Sequence, residues 1–295
     1  MKNSNLTLGF VGLGVMGGPM CRNVVTKHSA AVHAFDLNQA ALEELRRAGA
    51  HTAQSIAEVA SAADVVFLSL PGGRQVHEVC LGAGGLASTA RKGLVIVDLS
   101  TTSVADARDV AAKLAEKGIH FVDAPVARTR QAAQEGTLSI MVGASAELFA
   151  HVEPLLRYMG SDVTHCGVTG CGQVVKLINN TLLFEHVAAL AEMMVVGERA
   201  GVAPANLLAA ISKGSGDSFA LRNHGMKAMV PRLFPEKSFP STYVLKDMGY
   251  AIELAESCGV EPRLPRLVAE YYRATAEQGL GEKYFPAIIE LIGRR

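Results

Sequence analysis

A glycine-rich turn near the start of the chain has the residue types and spacing that bind phosphate groups. Gly12, Gly14 and Gly17 form the pattern Gly-x-Gly-x-x-Gly directly after a short apolar stretch. The first glycine permits a tight turn, the second lets the backbone approach a pyrophosphate, and the third lets a helix pack closely on a strand. The start of that helix also offers unpaired N–H groups to phosphates. A dinucleotide site is therefore expected to include Gly12, Gly14, Val15, Met16 and Gly17.

Asp36 supplies a carboxylate where such a site uses one. It lies 19 residues after Gly17, at the end of the next predicted strand. An acidic side chain at this distance accepts hydrogen bonds from the adenosine ribose hydroxyls. It also repels the 2′-phosphate of NADP, and the following Leu37 and Asn38 carry no positive charge. The sequence therefore predicts NAD as the cofactor, with a turn or helix-cap role for Asp36 as the structural alternative.

A second group of polar residues falls on one predicted helix. Gly172, Lys176 and Asn180 follow one another at intervals of four residues, which places all three on one face of an α-helix. A lysine on a helix is most often solvated. Lys176, however, has Val174-Val175 before it and Leu177-Ile178 after it, and these apolar neighbours predict partial burial.

The elements that would position these residues divide the chain into two parts. In the first part, apolar strands alternate with helical stretches, and the strands are predicted at 6–11, 31–35, 65–70, 94–98, 120–122 and 137–142, the last at the far edge. Such βαβ units form a parallel sheet with helices on both faces. The remainder is helical, with segments predicted at 172–200, 204–213, 223–229, 243–258, 265–278 and 284–292.

The predicted fold class is therefore α/β, a Rossmann-type doubly wound parallel sheet followed by an all-α C-terminal domain. Residues 1–167 would form the NAD-binding domain, and residues 168–295 an all-helical domain for substrate binding and dimerisation. The long helix has apolar residues spread around it, which predicts a homodimer or homotetramer.

The composition excludes several classes of protein. The chain has 295 residues, of which 49% are hydrophobic and 19% charged, too apolar for a disordered protein. Its net charge of zero argues against nucleic-acid and membrane-surface binding. The five scattered cysteines predict neither a disulfide framework nor a metal site. The uncharged N-terminal stretch is glycine-rich and unlike a signal peptide or membrane span, so we expect a cytoplasmic protein.

Five motifs fall in a characteristic order along the chain. They are residues 9–20, Asp98-Leu99-Ser100-Thr101-Thr102, Asp123-Ala124-Pro125-Val126, residues 172–180 and Lys246-Asp247. Together the motifs resemble those of the 3-hydroxyisobutyrate dehydrogenase (β-hydroxyacid dehydrogenase) family, and they span essentially the whole chain. The resemblance implies NAD(P)-dependent oxidation of a 3-hydroxy acid, or reduction of the matching semialdehyde, in a cleft between two domains.

The resemblance also implies roles for individual residues. Lys176 would protonate the alkoxide formed on reduction and take the proton back on oxidation. Asn180 would hold the hydroxyl or acid group of the substrate, and Gly172 would leave room for substrate or nicotinamide. The other implied contacts are Leu70 and Pro71 with the cofactor, Thr101 with the nicotinamide ribose and the substrate acid, and Phe239 and Lys246 over the nicotinamide. For Thr101 the alternative is a helix cap, a role for which Ser103 competes.

One segment departs from the family pattern. After Asp-Ala-Pro-Val the family continues with Ser-Gly-Gly, whereas this chain has Ala127, Arg128, Thr129 and Arg130. The Arg128 guanidinium offers a planar fork of donors, so we expect it to bind a substrate acid with more oxygens than one carboxylate, with Thr129 replacing part of the lost serine. The string Pro-Val-x-Arg-Thr also resembles that of sulfolactaldehyde reductases. The alternative for both arginines is a solvated loop charge or a pair with Glu135.

The expected substrate is therefore a small anionic hydroxy acid or semialdehyde, with 3-sulfolactaldehyde or tartronate semialdehyde (2-hydroxy-3-oxopropionate) as narrower alternatives. Imine reductases share the two-domain plan, but Lys176 belongs to the hydroxyacid pattern. Glyoxylate and succinic semialdehyde reductases commonly favour NADP, which Asp36 disfavours. A non-enzymatic, nucleic-acid-associated member of this fold tends to lose the lysine that this chain keeps.

Overall fold

A computed structural model describes residues 5–236 and 238–294 of the chain. The chain forms two compact units, Met1–Lys176 and Leu177–Arg295. The boundary between them falls inside the long helix Cys171–Arg199, whereas the sequence-based division lies before that helix.

The first unit is built on a sheet that contains nine strands within the described residues. The strands are β1 (Leu8–Val11), β2 (Val32–Phe35), β3 (His51–Thr52), β4 (Val65–Leu68), β5 (Val95–Asp98), β6 (His120–Asp123), β7 (Val126–Ala127), β8 (Leu138–Gly143) and β9 (Gly160–Gly167). Their order is β3-β2-β1-β4-β5-β6-β8-β7, with β9 paired to β8. Neighbouring strands from β3 to β6 are parallel, so their carboxyl ends meet at one edge of the sheet.

Helices cover both faces of this sheet. They are α1 (Gly17–Lys27), α2 (Gln39–Arg47), α3 (Ile56–Ala62), α4 (Gly73–Leu81), α5 (Leu86–Thr89), α6 (Val104–Ala115), α7 (Arg130–Glu135) and α8 (Ala146–Leu156). Successive strand residues point to opposite faces, and accordingly Phe10 and Phe67 belong to one apolar core while Val11 and Leu68 belong to the other. The predicted doubly wound fold is confirmed.

The far edge of the sheet differs from the prediction. The segment predicted as the edge strand is β8, which pairs antiparallel with β6 and β7 on one side and parallel with β9 on the other. The edge prediction was therefore wrong. The β9 segment reads Gly-Ser-Asp-Val-Thr-His-Cys-Gly, and its few apolar residues gave no strand signal in the sequence.

The second unit is helical in the part of it that the structure describes, as predicted. Its helices are the continuation of α9 (Cys171–Arg199), α10 (Pro204–Ile211), α11 (Ser241–Ser257), α12 (Arg263–Thr275) and α13 (Ile288–Gly293), with π-helical turns at Leu221–Met229 and Ala276–Leu280 and a 3-10 turn at Phe285–Ala287. α9 is long and apolar enough to cross a membrane by composition alone. It also places Phe184, Val187 and Met194 in the core of this unit, as the central helix of a folded domain does.

A buried histidine in the second unit predicts acid sensitivity. The Nδ1 atom of His224 lies 2.7 Å from the Tyr284 hydroxyl, and burial, with a smaller effect of Lys227, lowers the pKa of His224 to about 4. In the unfolded chain the histidine pKa is about 6.5, so between these two pH values the unfolded state binds the additional proton. The free energy of unfolding should therefore fall by up to about 3 kcal/mol from this residue as the pH drops from 6.5 to 4.

Urea unfolding at pH 7, 6 and 5 checks this expectation. Between pH 7 and pH 5, the free energy of unfolding should fall less in His224→Gln than in wild type, whatever the stability of the variant at pH 7. His120→Gln, which changes an exposed histidine on β6, is the matched control. If the free energies of wild type and His224→Gln ran parallel across this range, the buried neutral state of His224 would be refuted.

Candidate functional site

In the glycine turn after β1, two glycines are packed too tightly for a side chain, and the third faces open space. Gly12 has a φ of 95°, and a Cβ there would meet the carbonyl oxygen of Ser69. A Cβ on Gly17, where α1 begins, would meet the carbonyl oxygen of Gly12. A Cβ on Gly14 would have no neighbour within 4 Å. The backbone at Gly14 is therefore accessible, which fits the close approach of a pyrophosphate.

Asp36 is fixed beside this turn. Its Oδ2 accepts a hydrogen bond from the N–H of Leu13 at 2.5 Å, and its Oδ1 accepts one from the N–H of Asn38 at 2.7 Å. The side chain of Asn38 caps α2 by accepting from the N–H groups of Ala40 and Ala41. The cap role thus belongs to Asn38, and the carboxylate of Asp36 is oriented next to the glycine turn, as a ribose contact requires.

The loops after β4 and β5 are joined by hydrogen bonds. The N–H of Leu70 donates to Ser100 Oγ at 2.9 Å, and the N–H of Ser100 donates to Asp98 Oδ1 at 3.0 Å. Ser103, rather than Thr101, caps α6 by accepting from the N–H of Asp106. Leu70 and the partly buried Thr101 therefore sit on fixed loops at the carboxyl edge of the sheet, where ligands of such folds bind.

The start of α9 is bonded to the ends of β5 and β6. Asp123 accepts from the N–H of Gly170 at 2.7 Å through Oδ1 and from the N–H of Gln173 at 2.9 Å through Oδ2. The Gln173 side chain donates to the carbonyl oxygen of Ser100 at 2.8 Å and accepts from the N–H of Thr102 at 3.2 Å. Burial raises the pKa of Asp123 to about 6, against the opposing effect of these backbone donors.

Gly172 meets a packing requirement that was not expected from the sequence. A Cβ at this position would overlap the carbonyl oxygens of Met141 and Asp123 and the carboxylate of Asp123. The space that a side chain at position 172 would take is therefore filled by protein atoms, and a contact of Gly172 with substrate or nicotinamide remains a prediction. In this structure Gly172 allows the first turn of α9 to pack against β6 and β8.

Lys176 lies in the second turn of α9 and is more buried than the predicted partial burial. Only 7% of its surface is exposed. It follows Gln173 by three residues, so the bonds that fix Gln173 also fix the backbone from which the Lys176 side chain extends.

Asn180 belongs to a polar cluster in the second unit. Its Nδ2 donates to Asp247 Oδ2 at 2.8 Å, and Asp247 is almost wholly buried. Lys246 Nζ lies 3.3 Å from Asp247 Oδ1 and within 6 Å of the ring centres of Tyr243 and Tyr250, at 5.5 and 5.7 Å. From the sequence, Asn180 and Lys246 were given roles, whereas Asp247 was named as part of the Lys246-Asp247 motif without one. The apolar residues around the Lys-Asp pair were the available signal for its burial.

Phe239 lies in an aromatic cluster of the second unit. Its ring centre is 6.0 Å from that of Phe184, 5.9 Å from that of Phe285 and 5.9 Å from that of Tyr243. The carbonyl oxygen of Phe239 also accepts from the N–H of Phe285 at 3.0 Å. These contacts hold the ring that the family resemblance assigns to the nicotinamide.

Arg128 is held by three protein partners that were not expected from the sequence. Its Nη1 donates to the carbonyl oxygen of Thr137 at 2.6 Å and to Ser161 Oγ at 3.0 Å, and its Nη2 pairs with Asp162 Oδ2 at 2.7 Å. These partners lie where β8 and β9 begin, and the other end of β8, at Gly143, is roughly 17 Å away along the strand. The predicted alternative partner, Glu135, is not the one observed.

The two residues after Arg128 also take structural positions. Thr129 is the N-cap of α7, because its hydroxyl oxygen accepts from the N–H of Ala132 at 3.3 Å. Arg130 begins that helix and is exposed. Substrate contacts of Arg128, Thr129 and Arg130 remain predictions.

Comparison with known proteins identifies the family. Residues 7–167 match a family model described as the NAD binding domain of 6-phosphogluconate dehydrogenase, and residues 170–292 match one described as NAD-binding of NADP-dependent 3-hydroxyisobutyrate dehydrogenase. A 2-(hydroxymethyl)glutarate dehydrogenase from Eubacterium barkeri is 36% identical over 291 residues, covering 97% of this chain and 95% of the relative. The chain belongs to the 3-hydroxyisobutyrate dehydrogenase family.

Other members of the family agree with this assignment. The mitochondrial 3-hydroxyisobutyrate dehydrogenase of Mus musculus is 33% identical over 294 residues, or 98% of this chain and 88% of that protein. A structure of Mycobacterium tuberculosis 3-hydroxyisobutyrate dehydrogenase with L-serine has a TM-score of 0.88 and 28% identity, covering 98% of this chain and 99% of that one. As a family member, the chain is an NAD(P)-dependent dehydrogenase of hydroxy acids.

Proposed function

We propose that this 3-hydroxyisobutyrate dehydrogenase family member interconverts a short 3-hydroxy acid and its semialdehyde, with Lys176 as the general acid and base. The observation that carries the proposal is the burial of the Lys176 side chain, which is only 7% exposed. Lysine side chains are mostly exposed in folded proteins, so a buried lysine at a ligand-binding edge is a candidate functional group. Its place near the fixed start of α9, beside the loops at the carboxyl edge of the sheet, suits a role at the reacting carbon.

When bound, NAD would supply the nicotinamide that donates or accepts the hydride. In reduction, Nζ of Lys176 donates a proton to the carbonyl oxygen as negative charge develops there, and in oxidation the neutral amine accepts the hydroxyl proton. Asn180, one helical turn further along α9, would hold the substrate oxygen. Asp247 accepts one of its amide hydrogens at 2.8 Å, so the Asn180 amide is oriented before substrate binds.

We propose NAD as the preferred cofactor. Asp36 holds its carboxylate beside the glycine turn through the N–H groups of Leu13 and Asn38. A negative charge fixed at this point favours the two hydroxyls of the NAD ribose and opposes the 2′-phosphate of NADP.

The substrate is proposed to carry a primary alcohol on the carbon next to the one that bears the acid group. 2-(Hydroxymethyl)glutarate, 3-hydroxyisobutyrate and L-serine, the compounds named for the relatives, all have this arrangement. The corresponding product of oxidation is a semialdehyde whose carbonyl oxygen lies where Lys176 would act. Reduction of tartronate semialdehyde fits the same arrangement, whereas 3-sulfolactaldehyde would need the Arg128 guanidinium to exchange Asp162 for the sulfonate.

Arg128→Ala tests which substrate class the site takes. Because the guanidinium is already engaged by Thr137, Ser161 and Asp162, we expect kcat/KM for methylmalonate semialdehyde and tartronate semialdehyde to change by less than about threefold. Sulfolactaldehyde should be a poor substrate of both proteins. Steady-state NADH oxidation measures all three.

Asp162→Asn is the matched control, since it weakens the same ion pair and leaves the guanidinium in place. A large loss confined to sulfolactaldehyde in Arg128→Ala, with a gain in Asp162→Asn, would reverse this substrate proposal in favour of a sulfonate. An equal large loss with the carboxylate substrates would instead show that Arg128 binds the acid group in general.

We further propose that the protein is a cytoplasmic homodimer or homotetramer. The apolar side chains of Ile178, Leu182, Met193 and Val196 are each about half exposed, at 52%, 49%, 54% and 56%. Their spacing places them along one side of α9. A second copy of the chain is the proposed cover for this stripe, and the cysteines of the described residues are all unpaired thiols, as suits a reducing compartment.

A further inference from the structure

We infer that Asp123 and Gln173 position Lys176 for proton transfer by fixing the first turn of α9. Neither residue would touch the substrate, and both act through the helix that carries the lysine. The inference rests on the proposed role of Lys176. Asp123 accepts hydrogen bonds from the start of α9, and Gln173 joins that helix to the loop after β5.

Asp123 satisfies N–H groups that the start of a helix leaves without partners. The first turn of any α-helix has such groups and a partial positive charge. Asp123 is fully buried and accepts from the N–H groups of Gly170 and Gln173 at 2.7 and 2.9 Å. A carboxylate is therefore the side chain best matched to this place.

The surroundings of Asp123 are shaped to admit its carboxylate and nothing larger. A Cβ on Gly143, the residue paired with Asp123 in the sheet, would overlap both carboxylate oxygens. A Cβ on Gly172 would overlap the same group from the side of α9. With these two glycines, β6 and α9 pack in close contact around the carboxylate. A change at Asp123 should therefore shift the first turn of α9.

Gln173 joins the same turn to the loop after β5. Its Nε2 donates to the carbonyl oxygen of Ser100, and its Oε1 accepts from the N–H of Thr102. The hydroxyl of Ser100 in turn holds the N–H of Leu70. One buried side chain thus sets the distance between the helix and the loops that carry the expected cofactor contacts Leu70 and Thr101.

Lys176 follows Gln173 by three residues, or roughly 4.5 Å along the helix axis. Loss of the bonds at Gly170 and Gln173 would let the first turn fray and would move the lysine backbone. A displacement of about 1 Å between reacting groups can reduce a rate by roughly 100-fold. Cofactor binding through the glycine turn and Asp36 involves none of these bonds.

The test uses Asp123→Asn and Gln173→Glu, which keep the size of the side chain. The first replaces one accepting oxygen of Asp123 by an NH₂ group, and the second removes the Nε2 donor of Gln173. Asp109→Asn, at an exposed carboxylate on α6, is the control. Amide hydrogen exchange of the ligand-free chain should be faster over residues 170–176 in both variants and unchanged in the control. Both variants should also lose about 10- to 100-fold in kcat per folded molecule. The Kd for NADH should change by less than about threefold in Asp123→Asn, because Asp123 bonds to the start of α9, whereas Gln173→Glu also alters the loop that carries Thr101.

Three outcomes overturn the inference. The first is exchange at the wild-type rate over residues 170–176 in both variants. The second is a wild-type kcat once the folded fraction is taken into account, because a purely structural role lowers the melting temperature and the yield alone. The third is a loss of NADH affinity in Asp123→Asn as large as its loss of kcat. A wild-type chain that transfers no hydride with any hydroxy acid offered would overturn the proposed function instead, and the exchange data would separate the two failures.

Discussion

Replacing Lys176 with alanine is expected to lower kcat for the semialdehyde by about 1000-fold, within the range that general acid–base groups contribute. The Kd for NADH should stay within about threefold of wild type, because the glycine turn and Asp36 are untouched. In the oxidation direction, the kcat of Lys176→Arg should be nearly as low as that of Lys176→Ala. Arginine keeps the positive charge but does not release its proton at working pH, so this variant separates charge from proton transfer.

Lys113→Ala is the matched control for Lys176→Ala. Lys113 is an exposed lysine on α6 that pairs with Asp109 at 2.7 Å, and its loss should leave kcat unchanged. Stopped-flow measurement of NADH oxidation, together with fluorescence titration of NADH, distinguishes chemistry from binding. A kcat of Lys176→Ala within about tenfold of wild type would remove Lys176 from the proton-transfer step.

The second large effect is expected at Asp36. In wild type, kcat/KM with NADH should exceed that with NADPH by about 100-fold or more, because juxtaposed like charges cost several kcal/mol. Asp36→Ser should remove most of this preference. Adding Leu37→Arg should reverse it, since Leu37 is 90% exposed and a guanidinium there could pair with the 2′-phosphate.

Leu37→Arg alone is the control, because the carboxylate of Asp36 remains and should keep NAD favoured. The ratio of kcat/KM for the two dinucleotides is measured with one semialdehyde at constant ionic strength, since phosphate contacts weaken as salt rises. An Asp36→Ser variant that keeps the wild-type ratio would show that another group selects the cofactor.

The parts of the site that depend on local spacing could be predicted from the sequence. The Gly12–Gly17 turn, the distance to Asp36 and the intervals along α9 are set by contacts between residues close in the chain, and simple geometric rules cover them. The alternation of strands and helices likewise predicted the doubly wound sheet. The sequence did not reveal that Gly17 would be constrained by the Gly12 carbonyl oxygen, but it required a glycine there.

Other features depend on partners that no local pattern indicates. Arg128 pairs with Asp162, 34 residues later, and Asn180 pairs with Asp247, 67 residues later. Asp123 accepts a hydrogen bond from Gln173, 50 residues later, and this close contact leaves no room for a Cβ at Gly172. From the sequence alone, Gly172 was expected to contact the ligand. β9 was not predicted as a strand because most of its residues are polar, and its strand conformation depends on backbone pairing with β8. Tertiary contacts, rather than periodicity, determined each of these features.

A crystal structure with NAD⁺ and a slowly turned-over 3-hydroxy acid would show whether Lys176 is the proton-transfer group. We expect Nζ of Lys176 to lie about 3 Å from the hydroxyl oxygen that is oxidised, within hydrogen-bond reach of the proton it would accept. A bound substrate whose hydroxyl is held by another acid or base, with Nζ of Lys176 beyond hydrogen-bond distance and directed to solvent, would contradict it.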